Sequence, residues 1–283
     1  MKLRTCIASA LVAAPVAMAM ATPAFAADYD PPIFVEEAPE YVPVEVGSGW
    51  YLRGDVGYIA KDKAGRVNYR TFDPGPPGSY ADHSFDTNKF DTDFTFSGGF
   101  GYHFNDWLRA DLTAEGLRGR FNGTTSSGGP CAGEPVTTNC RTEDSAKFSA
   151  MGVMANGYVD LGTYAGFTPY VGAGLGYTLV RWKNLNSDGF CVGDDCTTSA
   201  AVGSSTHGGD DSWRFTYALM AGVGYEIAPN LTLDLGYKYR NVDGGDMYRW
   251  NSADTAAGAS GFQWRDGGLK THEIKVGLRY DLW

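Results

Sequence analysis

From residue 50 onward, apolar side chains alternate with small or polar ones along eight segments of ten or more residues. The clearest places Trp213, Phe215, Tyr217, Leu219, Ala221, Val223, Tyr225 and Ile227 on one face, with Arg214, Thr216, Ala218, Met220, Gly222, Gly224 and Glu226 between them. Only the two-residue period of an extended strand keeps eight alternate positions on one side, because a helix rotates such positions around its axis. Leu231, Leu233, Leu235, Tyr237 and Tyr239 repeat the pattern, as do Ile274, Val276, Leu278, Tyr280 and Leu282. Less regular segments at 50–61, 89–103, 107–121, 146–161 and 168–182 complete the eight. Their connections alternate in length. Long ones cover 62–88, 122–144, 183–211 and 243–269, whereas 104–106, 162–167 and 228–230 are short turns. All long connections therefore fall at one end.

An even number of strands of about ten residues, with short turns at one end and long loops at the other, is the pattern of a transmembrane barrel. The predicted fold is all-β: an eight-stranded antiparallel up-and-down barrel with four long extracellular loops. Lipid offers no hydrogen bonds to an open strand edge, so the sheet must close, and closure sends alternate residues outward. The apolar face is then the outer one. The lumen receives Arg53, Asp55, Arg109, Asp111, Glu115, Glu226, Asp234, Lys238, Arg240, Glu273, Lys275 and Arg279, six basic and six acidic. Eight strands leave room only for side chains, so these groups are expected to pair and plug the axis. Inward Gly172, Gly174 and Gly176 would make space for long Arg and Lys side chains. Two aromatic girdles are expected, with Tyr102, Phe104, Trp107, Tyr280 and Trp283 near the turns and Tyr58, Phe94, Trp182, Trp213 and Tyr239 near the loops.

The first 26 residues read as a cleaved export signal: Lys2 and Arg4, an apolar run from Ile7 to Ala21, then Ala24-Phe25-Ala26. Residues 27–49 hold four prolines and six acidic residues, a composition that suits an extended, solvated periplasmic tail and no regular ladder. The barrel then occupies 50–283. Loss of Lys2 and Arg4 takes the net charge from −10 to −12. With no basic cluster on so acidic a chain, a nucleic-acid partner is excluded. Export removes Cys6 and leaves Cys131, Cys140, Cys191 and Cys196 in an oxidising compartment. Four cysteines allow three connectivities, of which the sequential one closes the shortest loops. Zinc would want closer cysteine pairs or nearby histidines.

No cofactor site emerges. The run at 172–176 lacks the full dinucleotide spacing and a helix after it. The acidic pairs Asp194-Asp195 and Asp210-Asp211 lack the spacing of a calcium loop. Arg118, Arg120, Arg181, Arg214 and Arg240 fall near the loop bases, at the height of lipopolysaccharide phosphates, which a guanidinium can bind in bidentate fashion. Solvated rim charge is the plainer reading of the same five. Of the four histidines, His83 lies next to Ser84 and His207 follows Ser205 and Thr206, the only hint of a rim hydrolase. A soluble ligand-binding barrel of lipocalin type would place its apolar face inside, against the shared charged face found here.

Three stretches, GWYLRGDVGY at the first strand, FTPYVGAGLGY at the fifth and IKVGLRYDLW at the last, give residues 50–283 a resemblance to the small OmpA-like and opacity-type outer-membrane barrels. The major surface proteins of alphaproteobacteria are the nearest in kind. The resemblance implies an integral protein of the Gram-negative outer membrane, in contact with its lipid and lipopolysaccharide, and not an enzyme. It further implies that the barrel-assembly machinery reads Val276, Leu278, Tyr280 and Leu282, with Trp283 one position out of register. Some relatives begin Ala-Asp and become linked to peptidoglycan through that end, as Ala27-Asp28 would allow. The expected function is a structural surface barrel that maintains the envelope and displays loops for interaction. The alternatives are a narrow porin and, more remotely, a lipid-modifying enzyme.

Overall fold

The computed structural model describes residues 49–282, so the export signal, the acidic tail with Ala27 and Asp28, and Trp283 lie outside the described residues. In chain order the strands are β1 (Trp50–Ala64), β2 (Val67–Asp73), β3 (Ser79–Ser84), β4 (Thr87–Asn105), β5 (Leu108–Ser127), β6 (Asn139–Asp160) and β7 (Phe167–Trp182). They continue with β8 (Leu185–Val192), β9 (Ala201–His207), β10 (Asp211–Ala228), β11 (Leu231–Val242), β12 (Gly245–Arg249), β13 (Phe262–Asp266) and β14 (Leu269–Asp281). One short helix, α1 (Ser252–Ala256), stands between β12 and β13.

Eight of these strands form a closed antiparallel ring in the order β1, β4, β5, β6, β7, β10, β11 and β14. The β1–β14 pairing joins the first strand to the last, and the β5–β6 pairing leaves no open edge among the eight. The alternation read from the sequence sets the sidedness. On β10, Trp213, Phe215 and Leu219 are exposed while Arg214, Thr216, Ala218 and Met220 are buried. At the tight turn after β4, the Asn105 side-chain oxygen accepts the backbone N–H groups of Trp107 and Leu108 at 3.1 and 2.8 Å, the local bond that makes asparagine a turn former.

The long connections, predicted only as loops, carry strands of their own. A bilayer needs roughly 9–11 residues per tilted strand, yet β5 has 20 residues and β6 has 22. Their surplus stands beyond the membrane, and β6 there pairs with β8, which pairs with β9. The first and last long connections meet in a separate four-stranded sheet ordered β12, β13, β2, β3. A folded extracellular head results.

Beneath the head lies an apolar cluster that no charged-lumen reading anticipates. It includes Phe85, Phe90, Leu117, Phe121, Phe148, Val180, Trp182, Tyr248, Trp264 and Leu269. Trp182 thereby corrects the girdle assignment. It points inward, is 4% exposed, and meets the Phe148 ring at 4.9 Å and the Phe90 ring at 5.8 Å. The inward face changes from polar to apolar toward the loops because the head removes water there.

Trp182→Ala should leave a cavity costing about 3–5 kcal/mol. The head would be cut by protease sooner while the barrel keeps its heat-modifiable gel mobility. Unchanged protease resistance would contradict a head clamped by this ring.

Candidate functional site: the closed lumen and its head

The lumen is filled in layers. Nearest the turns, Arg109 donates to Asp160 at 3.0 Å and its guanidinium lies over the Tyr158 and Tyr170 rings at 4.3 and 4.8 Å. Arg279 stands over Tyr51 at 5.7 Å. One layer outward, Arg53 bridges Asp55 at 2.7 Å and Asp111 at 2.8 Å, and donates to the Tyr158 hydroxyl at 2.9 Å. Lys275 reaches Asp55 at 3.5 Å, and Ser97 donates to the same carboxylate at 3.0 Å. Above this, Glu115 accepts from both Lys238 and Arg240, the latter at 3.2 Å, and Arg240 also pairs with Glu273. Thr95 completes the Glu273 shell at 3.1 Å. The apolar cluster closes the stack.

Ten of the twelve predicted lumen charges are buried: Arg53, Asp55, Arg109, Asp111, Glu115, Asp234, Lys238, Arg240, Glu273 and Arg279. Lys275 is half-buried. Glu226 is a correction, because at the turn end of β10, where it still pairs with Thr232, its side chain is exposed at the mouth of the lumen and not buried in it. Asp160 takes its place as the sixth acid, and the balance of charge survives. The signal was present, since Asp160 shares the two-residue period with Tyr158 and Asn156.

The inward Gly172, Gly174 and Gly176 open space, but not for cations. A Cβ on Gly172 would lie 2.6 Å from the Tyr158 ring, and one on Gly222 would lie 2.6 Å from the Tyr170 hydroxyl. Gly172 and Gly222 thus make room for the aromatic side chain paired directly opposite on the neighbouring strand, whereas Gly174 lies against Asn156 and Gly176 against Met154. Of the five loop-base arginines, Arg118, Arg120 and Arg181 face outward and are exposed. Arg240 and Arg214 do not: both are buried, and Arg214 binds Asp266 of β13 at 2.8 Å. This pair ties the barrel wall to the head and was missed because Asp266 sits in a connection of unpredicted structure.

In the head, disulfides join Cys131 to Cys140 and Cys191 to Cys196, and Cys140 lies directly opposite Cys191 in the β6–β8 pairing. Glu134 accepts from the Thr197 backbone at 2.8 Å and from its hydroxyl, while Thr137 donates to Asp195. The second and third long connections are thus bound together. Glu134, Cys191 and Cys196 come close to one another, but sulfurs held in a disulfide are not thiolate ligands. At the other extreme of the chain, Val276, Leu278 and Tyr280 face outward and are exposed, while Leu282 is half-buried.

None of the four histidines hydrogen-bonds a serine hydroxyl among the described residues. His83 meets Thr71 at 3.1 Å, His272 meets the Tyr237 hydroxyl at 2.5 Å and His103 meets Asp281 at 3.2 Å. The His207 ring lies tilted 5.9 Å from that of Trp264, and burial holds its pKa below the usual histidine value.

Comparison with known proteins places this architecture. An uncharacterized protein of Brucella suis biovar 1 is 38% identical over 257 residues, covering 86% of this chain and 88% of its own. A putative adhesin of Rickettsia felis is 26% identical, covering 84% of this chain and 90% of its own. Among solved structures, OprG of Pseudomonas aeruginosa is similar with 16% identity and a TM-score of 0.42, covering 83% of this chain and 97% of that one. The model of the outer membrane protein beta-barrel domain matches residues 11–281. The chain belongs to that family, and its place is the outer membrane of a Gram-negative cell.

Proposed function

We propose that the chain is a non-enzymatic envelope barrel whose work is done by its folded extracellular head and not by transport. The observation that carries this reading is the double seal of the lumen. An ion-paired layer built on Glu115, Lys238, Arg240 and Glu273 is followed outward by the Phe90, Phe121, Phe148 and Trp182 layer. A porin needs a continuous wet path, and these two layers block it in series. The head supports a role in display, with its two disulfides and its cross-loop bonds. The name of the Rickettsia relative, a putative adhesin, agrees with that role. The histidine contacts agree with that reading, since among the described residues His83 is engaged by Thr71 and His272 by Tyr237. Partners proposed on the same reading are outer-membrane lipid and lipopolysaccharide around the wall, the assembly machinery at the last strand, and peptidoglycan at Ala27.

Asp144, where β6 enters the head, gives the head a pH response. Burial and the neighbouring Asp188 carboxylate raise its pKa to about 6, against an accepted hydrogen bond from Ser187. A carboxyl whose folded pKa is raised destabilises the folded head when ionised. That penalty is full above the folded value and is relieved as the pH falls from about 6 toward the unfolded value of ~4.

In planar bilayers the folded protein should be silent. Lys238→Ala with Arg240→Ala should remain silent, as should Phe121→Ala with Trp182→Ala, while the four changes together should conduct. Stable openings in the unaltered protein would establish the porin reading instead. Separately, the head should resist protease better at pH 5.5 than at pH 7.5, and Asp144→Asn should abolish that difference; an unaltered protein with no pH response would refute the assignment. Muramidase digestion of envelopes should release barrel carrying a muropeptide on Ala27, and recovery of free barrel alone would remove the wall linkage.

A further inference from the structure

The exposed cations of this barrel are confined to one end. Among the described residues, every Lys or Arg near the turns faces the lumen, as Arg53, Arg109, Lys275 and Arg279 do. Among the described residues, those exposed there are uncharged or acidic, including Trp107, Leu161, Ile227, Asp106 and Glu226. At the loop end the outward positions instead turn basic immediately beyond the apolar band. The change is densest on β5, β6 and β7. Arg118 lies opposite Ser149, which lies opposite Arg181. One step farther out, Arg120 lies opposite Lys147, whose carbonyl accepts the Lys183 backbone N–H at 2.8 Å. With strands about 4.8 Å apart and alternate residues about 6.8 Å apart, five cations occupy a patch roughly 10 Å by 7 Å.

The patch is largely unneutralised. Arg118, Arg120, Lys147 and Lys183 take part in no ion pair among the described residues, and only Arg181 reaches a carboxylate, Asp211 at 3.3 Å. Asp91, which faces Arg120 across β4 and β5, is held by Lys89 and by Asn122 at 3.2 Å. Five like charges at this spacing repel one another, and among the described residues the Arg181–Asp211 pair is the one carboxylate contact that offsets part of that cost. One strand position toward the membrane centre lie Gly116, Met151 and Leu179, on the lipid-facing side. A ligand for this grid must therefore be anionic, must sit at the upper boundary of the hydrocarbon, and must belong to the outer leaflet alone.

We propose that Arg118, Arg120, Lys147, Arg181 and Lys183 form a receptor for the phosphates of outer-leaflet lipopolysaccharide, with its acyl chains lying on the apolar wall below. Guanidinium groups bind phosphate oxygens in pairs, and ammonium groups add charge at less defined geometry. The polar Ser149 between Arg118 and Arg181 supplies a hydroxyl donor at the centre of the inner row. The inference rests on the outer-membrane location of the barrel and is independent of whether the head or the lumen does the protein's work.

The test uses the full-length mature protein, folded in detergent and verified by gel mobility. Native mass spectrometry is run with diphosphoryl lipid A and, in parallel, with lipid A stripped of both phosphates. The expected result is retention of the diphosphoryl form by the unaltered protein, at least tenfold weaker retention of the stripped form, and at least tenfold loss in Arg118→Gln/Arg120→Gln/Lys147→Gln. A matched variant on the opposite wall, Lys61→Gln/Lys63→Gln/Lys270→Gln, should change retention by less than twofold. Equal retention of the two lipids overturns the proposal without recourse to any variant. Equal loss in the two variants overturns it too, since charge anywhere on the rim would then suffice. Displacement of lipid A from the unaltered protein by heparin at matched anion concentration would reassign the patch to a soluble polyanion. Because protease resistance of the head and bilayer silence are measured apart from lipid retention, failure here would leave the display reading standing.

Discussion

An unpaired backbone amide inside a bilayer has no water to turn to, and this penalty governs the molecule. It forces the sheet to close through the β1–β14 and β5–β6 pairings. Closure leaves a tube with two environments, and the two-residue period assigns every side chain to one of them. Lipid claims the apolar set, so the charged set has only the lumen. The inversion of the usual protein order, with charges inside and leucines outside, follows from the hydrogen-bonding requirement of the backbone.

A narrow lumen then poses its own problem, because charges removed from bulk water are tolerated only when paired and hydrogen-bonded. The structure meets it layer by layer, Arg53 serving two aspartates and Glu115 serving two cations. Toward the outside a second solution takes over. The head excludes water, and aromatic rings replace ion pairs as the filling. The Arg214–Asp266 pair joins the two regimes, with its cation on the wall and its anion on the head. The head is thus held to the wall by the same contacts that seal the lumen.

The outer surface carries a different asymmetry. Aromatic side chains occur at both ends of the apolar band, as at Trp107 and Phe104 near the turns and Tyr58, Phe94 and Trp213 near the loops. Among the described residues, exposed lysine and arginine occur at only one. Aromatics suit any water–hydrocarbon boundary, whereas a one-sided distribution of cations suits a membrane whose two leaflets differ in charge.

The strand count, the ring, the sidedness and most of the lumen charges were legible in the alternation itself, because a period of two ties neighbouring residues rigidly to opposite faces. What alternation cannot convey is height along the axis and what lies beyond the band. Trp182 shares the inward parity of Gly172, Gly174 and Gly176 and Tyr239 the outward parity of Leu235 and Tyr237, so alternation already separated them; what only the head explains is why an aromatic ring, and not a charge, fills the lumen at the height of Trp182. Glu226 keeps its place in the period but sits at the last rung of the ring, where its side chain is exposed, while Asp160 inherits its role through contact with Arg109. Arg214 and Arg118 are both arginines near loop bases, and only the strand parity and the Asp266 partner separate an internal tie from a surface cation. The sequence by itself determined the closed barrel and which face of each strand meets lipid, since those depend on local periodicity. The tertiary structure alone decided the pairing of the charges, the aromatic seal and the folded head, since those depend on contacts between segments far apart in the chain.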